Sequence, residues 1–463
     1  MPSATLSGES APFELVAGDS RSEVGPTLAA PVPRALGVID QLGLWGNLGV
    51  SLLGFTGAIF VLQPGGAGTP RLSIAAAICA IVVGTVLGTV PIALAGLPGT
   101  ETGAPAMVLL RGVFGTQLSY LPTVLNVLQC FGWGIFELVT IATAAHVVAP
   151  GISRDAYILI AGAITGVLAV RPLGFIRTLR RYVVAAVSLD LAYLFVQLLR
   201  HPVAPVAHGG WSGFWAATDT VVAAAISFAP LAADYSRHSR SRAATLVGTI
   251  FGYGSTQVLC YVIGLLTLLT VARSGNIYGA FIALPVGSVA FAVLAARELD
   301  QSFANVYSTA VSVQNARPLW DRRALAVLIS AGATLCALVM NISTYENFLT
   351  LLGSVFVPLS AVLIVDFRLV GATRWDLTTR ARTRWPMLLA WAAGFVVYQL
   401  INPGYIAWWV RMWGHVAHAI GFTPSSWMSA SILSFVVAAL VAGVCDLVAG
   451  ARRRPVAGAD RTG

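Results

Sequence analysis

Between residues 285 and 314 an apolar stretch of helical length carries Glu298, Gln301, Asn305, Ser308 and Ser312. The steps are three, four, three and four residues, so in a helix these side chains share one face. Arg297 and Asp300 lie in the same stretch, Asp300 about 100° to one side of Gln301. A second acid, Glu137, stands mid-way through another apolar stretch, one turn after Trp133. Charges at bilayer depth cost about 2.5–3.5 kcal/mol each on insertion scales, so they mark a substrate or ion path or a structural pairing. An indole offers a flat apolar plate, and a carboxyl one turn away accepts hydrogen bonds from ring N–H groups. That pair suits a flat, nitrogen-rich ring, stacked on its face and read at its edge. The competing reading packs Trp133 in the core, pairs Glu137 with another helix, and uses Arg297 with Asp300 or Gln301 to hold helices together. Asp190, Asp234 with Arg237, and Asp366 with Arg368 are lesser candidates, the last read as a helix end. His146 and His238 stand alone in the sequence.

The surrounding chain is oily. Of 463 residues 57% are hydrophobic and 10% charged, and the mean hydropathy is +0.80. Soluble domains run at roughly 25% charged, which excludes a water-soluble fold and points to a lipid bilayer as solvent. About twelve apolar stretches are long enough to span one: 36–62, 72–97, 120–148, 156–171, 180–199, 213–233, 244–271, 285–314, 324–343, 348–366, 386–401 and 427–448. The segments 105–117 and 405–418 mix Trp, Arg or His with apolar residues and read as amphipathic segments in the headgroups. The fold class expected is therefore all-α and polytopic.

The net charge of +9 is carried by arginine alone, with no lysine. With the N-terminus in the cytoplasm, the arginines fall on the cytoplasmic side, except Arg71, Arg154, Arg200, Arg273 and Arg411 outside and Arg297 within a span. This bias is the positive-inside pattern. It puts both termini in the cytoplasm of a cell (inner) membrane protein and removes any need for a nucleic-acid partner. Cys79, Cys130, Cys260, Cys336 and Cys445 all lie in apolar stretches without metal-ligand spacing. Residues 1–33 read as a loose cytoplasmic tail and not a signal peptide, and 451–463 as a second tail.

Two spans contain helix breakers. Gly46, Asn47 and Gly49 cluster in the first, and Pro230 interrupts the sixth. Backbone groups freed at membrane depth survive only where they line a cavity or bind something. Breaks at matching places in two halves point to the binding site of a transporter. The two breaks fall at equivalent places if the first five spans are repeated, inverted, as the next five. No HExxH, GxSxG or GxxxxGK[ST] pattern occurs, so neither an enzyme nor an ATP-driven pump is expected. An ion gradient is left as the energy source.

On four stretches, 40–54, 96–115 running on to 131–137, 229–240 and 298–312, the chain resembles the nucleobase–cation symporter family 1, the purine–cytosine permeases. The resemblance implies a LeuT-type fold of five plus five helices with two added, helices 1 and 6 broken, and alternating access around a midplane site. The divisions it implies are a core over 34–368, with inverted repeats at 36–199 and 213–366, and two further helices over 369–450. It implies that Trp133 stacks on the substrate ring and that Asn305 bonds it. Glu137 stands where several members have an amide, and Ser227 and Phe228 fall near the helix-six contacts. In sodium-coupled members helix-one carbonyls, here near Asn47 to Val50, join helix-eight hydroxyls around the ion. Those hydroxyl positions correspond to Leu299 and Asp300, and a carboxylate there brings a titratable group. The candidate binding set is Trp133, Glu137, Asn305, Gln301, Ser227, Phe228, Asn47 and Gly49, with Asp300 and Val50 at the coupling cation. That cation is a proton ahead of sodium, with no other cofactor; any sodium would sit between Asp300 and the helix-one carbonyls. The function implied is import of a nucleobase, cytosine or a purine. The alternatives are another nitrogenous solute (a hydantoin, allantoin or thiamine) or a nontransporting receptor or scaffold.

Overall fold

The first span turns by 59° between α1 (Val38–Gly49) and α2 (Leu52–Leu62). Val50 and Ser51 are extended there, and the Ser51 hydroxyl accepts from Leu53 N at 3.1 Å to start the second half. The computed structural model describes residues 32–65, 69–170, 173–204, 209–272, 277–340 and 345–453, with the side chains of 173–183, 300 and 450–453 outside that description.

The chain continues as α3 (Ile74–Thr102), α4 (Ala106–Phe114), α5 (Thr116–Val148), α6 (Arg154–Val170) and α7 (Leu173–Leu199). Then come α8 (Phe214–Ile226), a 3-10 turn (Ala229–Leu231), α9 (Ala232–Ser236), α10 (Arg242–Val247), a π-helical stretch (Gly248–Tyr253) and α11 (Gly254–Thr270). The remainder is α12 (Ile277–Ala283), α13 (Gly287–Ala316), α14 (Arg322–Val339), α15 (Tyr345–Leu369), α16 (Trp385–Ile401), α17 (Ala407–Ala419) and α18 (Ala430–Arg453). Among the described residues there is no strand, only isolated bridges at Leu36–Ser239 and Leu72–Gly210.

Among the described residues seven helices are long and apolar enough to cross a membrane, or eight if α1 and α2 are one span. The other stretches expected to span coincide with α6 and α16, which are shorter, with α7, of which Val184–Leu199 is a short apolar helix, and with α13, which is more polar. The sixth span is interrupted in its hydrogen bonding, not sharply bent: Ser227 and Phe228 stay right-handed and Pro230 enters the 3-10 turn. Among the described helix pairs, only α1–α2 bends by more than 40°.

Glycine in the first span serves packing as well as the break. A Cβ on Gly49 would lie 2.3 Å from Thr256 Oγ1 and 2.6 Å from the Tyr253 carbonyl. One on Gly252 would lie 2.7 Å from the Leu42 carbonyl, so α1 crosses the π-helical stretch backbone to backbone.

One local expectation needs correction. Segment 105–117 forms α4 but does not lie on the surface, since all nine residues of that helix are buried. Its one charge is satisfied inside: Arg111 Nε donates to Asn315 Oδ1 at 2.8 Å and Nη1 to the Leu377 carbonyl at 3.1 Å. Asp366 does lie at a helix end, in the last turn of α15 with Arg368, but it is not a solvent-facing charge. It is fully buried in α15, accepts from Trp375 Nε1 at 2.6 Å, and pairs with Arg384, which also bridges to Asp446 at 2.7 Å. In contrast, α17 leaves Trp408, Met412 and Val416 exposed, as an interfacial helix would.

Asp219 on α8 ties the C-terminal helices to the core. Its carboxylate accepts from Ser429 Oγ at 2.6 Å and from the backbone N–H of Ala430 and Ser431 at 2.8 and 3.1 Å, capping α18. Asp219→Ala removes the cap and strands those donors in a buried place. It is expected to lower stability by about 1–3 kcal/mol in denaturation of the detergent-solubilised protein, and unchanged stability would contradict this role.

Candidate functional site

The faces of α5 and α13 are joined by side-chain hydrogen bonds along their length. Asn305 Nδ2 donates to Glu137 Oε1 at 2.8 Å, Asn126 Nδ2 to Ser312 Oγ at 2.8 Å, and Asn315 Nδ2 to Thr123 Oγ1 at 2.8 Å. The three- and four-residue steps of α13 thus meet polar positions on α5, with Ser308 reaching the Tyr235 hydroxyl on α9 at 3.3 Å. Glu137, Asn305 and Gln301 are all buried. Glu137 Oε2, Asn305 Oδ1 and Trp133 Nε1 are buried and have no hydrogen-bond partner among the described residues. Such atoms are costly to leave bare, and a polar guest is one way to satisfy them.

Beside them is a cavity of about 30 Å³, lined by Gly49, Trp133, Phe228, Gln301, Tyr253 and Tyr345 among others. That is room for one or two waters and far below the roughly 300–1,000 Å³ of an occupied small-molecule site. Aromatic rings close it. Trp133 meets Tyr345 and Phe348 edge-on, with centroids 5.9 and 5.2 Å apart, and Phe228 packs 5.3 Å from Tyr253. A flat ring enters only if this cluster parts.

Of the candidate residues, Trp133, Phe228, Gln301 and Gly49 line the cavity. Glu137, Asn305, Asn47 and Val50 are buried and are not among its lining residues. Ser227 does not present its hydroxyl there: Oγ donates to the Ala224 carbonyl at 2.7 Å, while the Ser227 carbonyl accepts from Gln129 Nε2 at 2.8 Å. The side chain of Asp300 falls outside the described residues. Among those described, no group of three or more His, Cys, Asp or Glu could hold a metal ion.

Sequence reasoning missed Tyr253, Gln257 and Tyr261, which line the cavity at successive steps of four on the seventh span. That spacing was a readable signal. Tyr345 was missed because it lies just before the apolar run that begins at 348. The reading also left Arg297 without a fixed partner. Its Nη1 donates to Gln301 Oε1 at 2.6 Å and to Glu298 Oε2 at 3.2 Å, and its Nη2 to the backbone carbonyl of Asn47. His238 accepts no such role: Nδ1 meets the Pro33 carbonyl at 3.0 Å, and burial, then the charge of Arg237, push its pKa down to about 3. It is a neutral structural tie.

A family profile described as permeases for cytosine/purines, uracil, thiamine and allantoin matches residues 43–410. The chain belongs to this family. It is a membrane permease and not an enzyme. Comparison of solved structures agrees on the fold. The protein is similar to Mhp1, a nucleobase-cation-symport-1 family transporter in a closed conformation with bromovinylhydantoin bound, at 17% identity and TM-score 0.72, covering 93% of this chain and 95% of that one. The inward-facing conformation of Mhp1 matches at 16% identity and TM-score 0.68, covering 94% and 96%. A manganese transporter of Eremococcus coleocola matches at 14% identity and TM-score 0.53, covering 90% and 95%. These likenesses establish the LeuT-type helical fold that the sequence resemblance implied. No curated protein sequence matches the permease.

Proposed function

We propose that the permease imports a nucleobase, cytosine or an aminopurine, across the cell membrane by symport with a cation. The two repeats, 36–199 and 213–366, alternate access to a central site, residues 369–450 add two helices, and both termini face the cytoplasm. The observation that carries this reading is the grouping of unpartnered Glu137 Oε2, Asn305 Oδ1 and Trp133 Nε1 near an aromatic-walled cavity between α1, α5, α8 and α13. Trp133 supplies a face for a ring and the two oxygens accept from its N–H groups. A titratable group at Asp300 favours the proton over sodium as the coupling ion. A hydantoin is the second reading, supported by the bromovinylhydantoin bound in one Mhp1 structure.

The test is thermal melting of the purified permease with cytosine, adenine, uracil, hydantoin, allantoin and thiamine in turn. A specific ligand in excess stabilises the folded state. One nucleobase is expected to raise the melting temperature, and Trp133→Ala to weaken its binding by about 1–3 kcal/mol, the usual worth of base–aromatic stacking. Stabilisation by hydantoin alone selects the second reading. Stabilisation by none of them, with no uptake into vesicles, removes both.

A further inference from the structure

The break in the first span exposes two helix ends of opposite polarity: the C-terminus of α1 is partially negative and the N-terminus of α2 partially positive. Adjacent residues of α13 answer both. Arg297 meets the first, its Nη2 donating to the Asn47 carbonyl and its Nε to Asn47 Oδ1 at 3.4 Å. Glu298 meets the second, its Oε1 accepting from Leu52 N. The guanidinium also holds Glu298 Oε2 and Gln301 Oε1, and both charged side chains are about 1% exposed.

Four oxygens therefore converge at the break: the Asn47 carbonyl, Asn47 Oδ1, Gln301 Oε1 and Glu298 Oε2. Hard alkali cations bind to such clusters of carbonyl, amide and carboxylate oxygen. Here all four bond to one covalently attached cation, whose charge in a low-dielectric interior repels a second. The polarity of both helix ends is answered without any mobile ion.

We propose that Arg297 is a tethered cation, taking the place a sodium ion would fill between the broken first helix and α13, and that it makes the permease independent of sodium. The inference rests on the transporter reading but not on which solute is carried.

The test needs no solute. The purified full chain is melted in sodium chloride and in choline chloride at equal ionic strength. Wild type is expected to melt at the same temperature in both. Arg297→Gln, which vacates the oxygens, is expected to melt higher in sodium than in choline, while Arg297→Lys, which keeps a charge on the stem, behaves as wild type. A role confined to packing predicts no sodium response in Arg297→Gln. Wild type stabilised by sodium over choline overturns the proposal, as do Gln and Lys variants that respond alike. Should Arg297→Gln fail to fold in either salt, the wild-type comparison decides alone. Uptake of labelled cytosine into proteoliposomes, measured in both salts, is expected to agree within about twofold. No uptake in either salt counts against the solute reading and leaves the melting result to decide on Arg297.

Discussion

Glu298→Leu is expected to destabilise the permease by about 3–5 kcal/mol, the usual consequence of removing one partner from a buried ion pair. The Arg297 guanidinium would keep Gln301 and Asn47 but lose its counter-charge at 3.2 Å, where both side chains are about 1% exposed. The Leu52 N–H at the start of α2 would lose its acceptor as well. A second substitution separates these terms. Replacing both members, Arg297→Met with Glu298→Leu, removes the stranded charge and is expected to recover most of the loss, because an apolar pair of similar volume is often as stable as the buried ion pair. The remainder, about 1–3 kcal/mol, is the orphaned Leu52 N–H. Denaturation of the solubilised single and double variants measures this coupling. Additive losses would show that the two side chains act separately, and a Glu298→Leu variant as stable as wild type would show that the pair holds nothing.

Much of this arrangement was readable from residue order. The polar stripe of α13 follows helical spacing, and its partners on α5 sit where a facing helix must offer hydrogen bonds. Trp133 and Glu137 announce themselves because an indole and an acid one turn apart are costly company for lipid. What sequence could not supply is the identity of partners that are backbone or far along the chain. The Asn47 carbonyl has no side-chain signature, so Arg297 could be read only against its own helix. Asp366 sits at a helix end, as its place in the sequence says, but nothing local shows that Arg384, 18 residues on, folds back to within 2.5 Å of it. Arg111 gave α4 an amphipathic pattern, yet pairing with Asn315 and the Leu377 carbonyl lets the whole helix go inside. Gly49 shows the same limit. Its role in the break is visible locally, whereas its contact with the Tyr253 carbonyl depends on how α1 crosses the π-helical stretch.

If the permease binds its solute as proposed, the Glu137–Asn305 pair carries the second large expected effect, on binding. Asn305 commits one amide hydrogen to Glu137 Oε1, which leaves Glu137 Oε2 and Asn305 Oδ1 as neighbouring acceptors. Two acceptors side by side select a ring edge with two donors, such as a ring N–H beside an exocyclic amino group. Glu137→Leu removes one acceptor and frees the Asn305 amide, whose hydrogen then points toward the guest. Leaving a buried donor without its acceptor costs about 1–3 kcal/mol, so affinity is expected to fall roughly 5- to 150-fold. Glu137→Gln is the sharper test. It keeps the volume and an acceptor for Asn305 but places an NH₂ where Oε2 was, turning the edge from acceptor–acceptor to donor–acceptor. Preference is then expected to shift from a ring that sets an N–H beside an amino group, as guanine does, toward rings that set a donor beside an acceptor, such as uracil. Competition of unlabelled nucleobases against a labelled one in proteoliposomes reads that shift. An unchanged ranking in Glu137→Gln, with the loss in Glu137→Leu accompanied by equal loss of stability, would return Glu137 to a helix-pairing role.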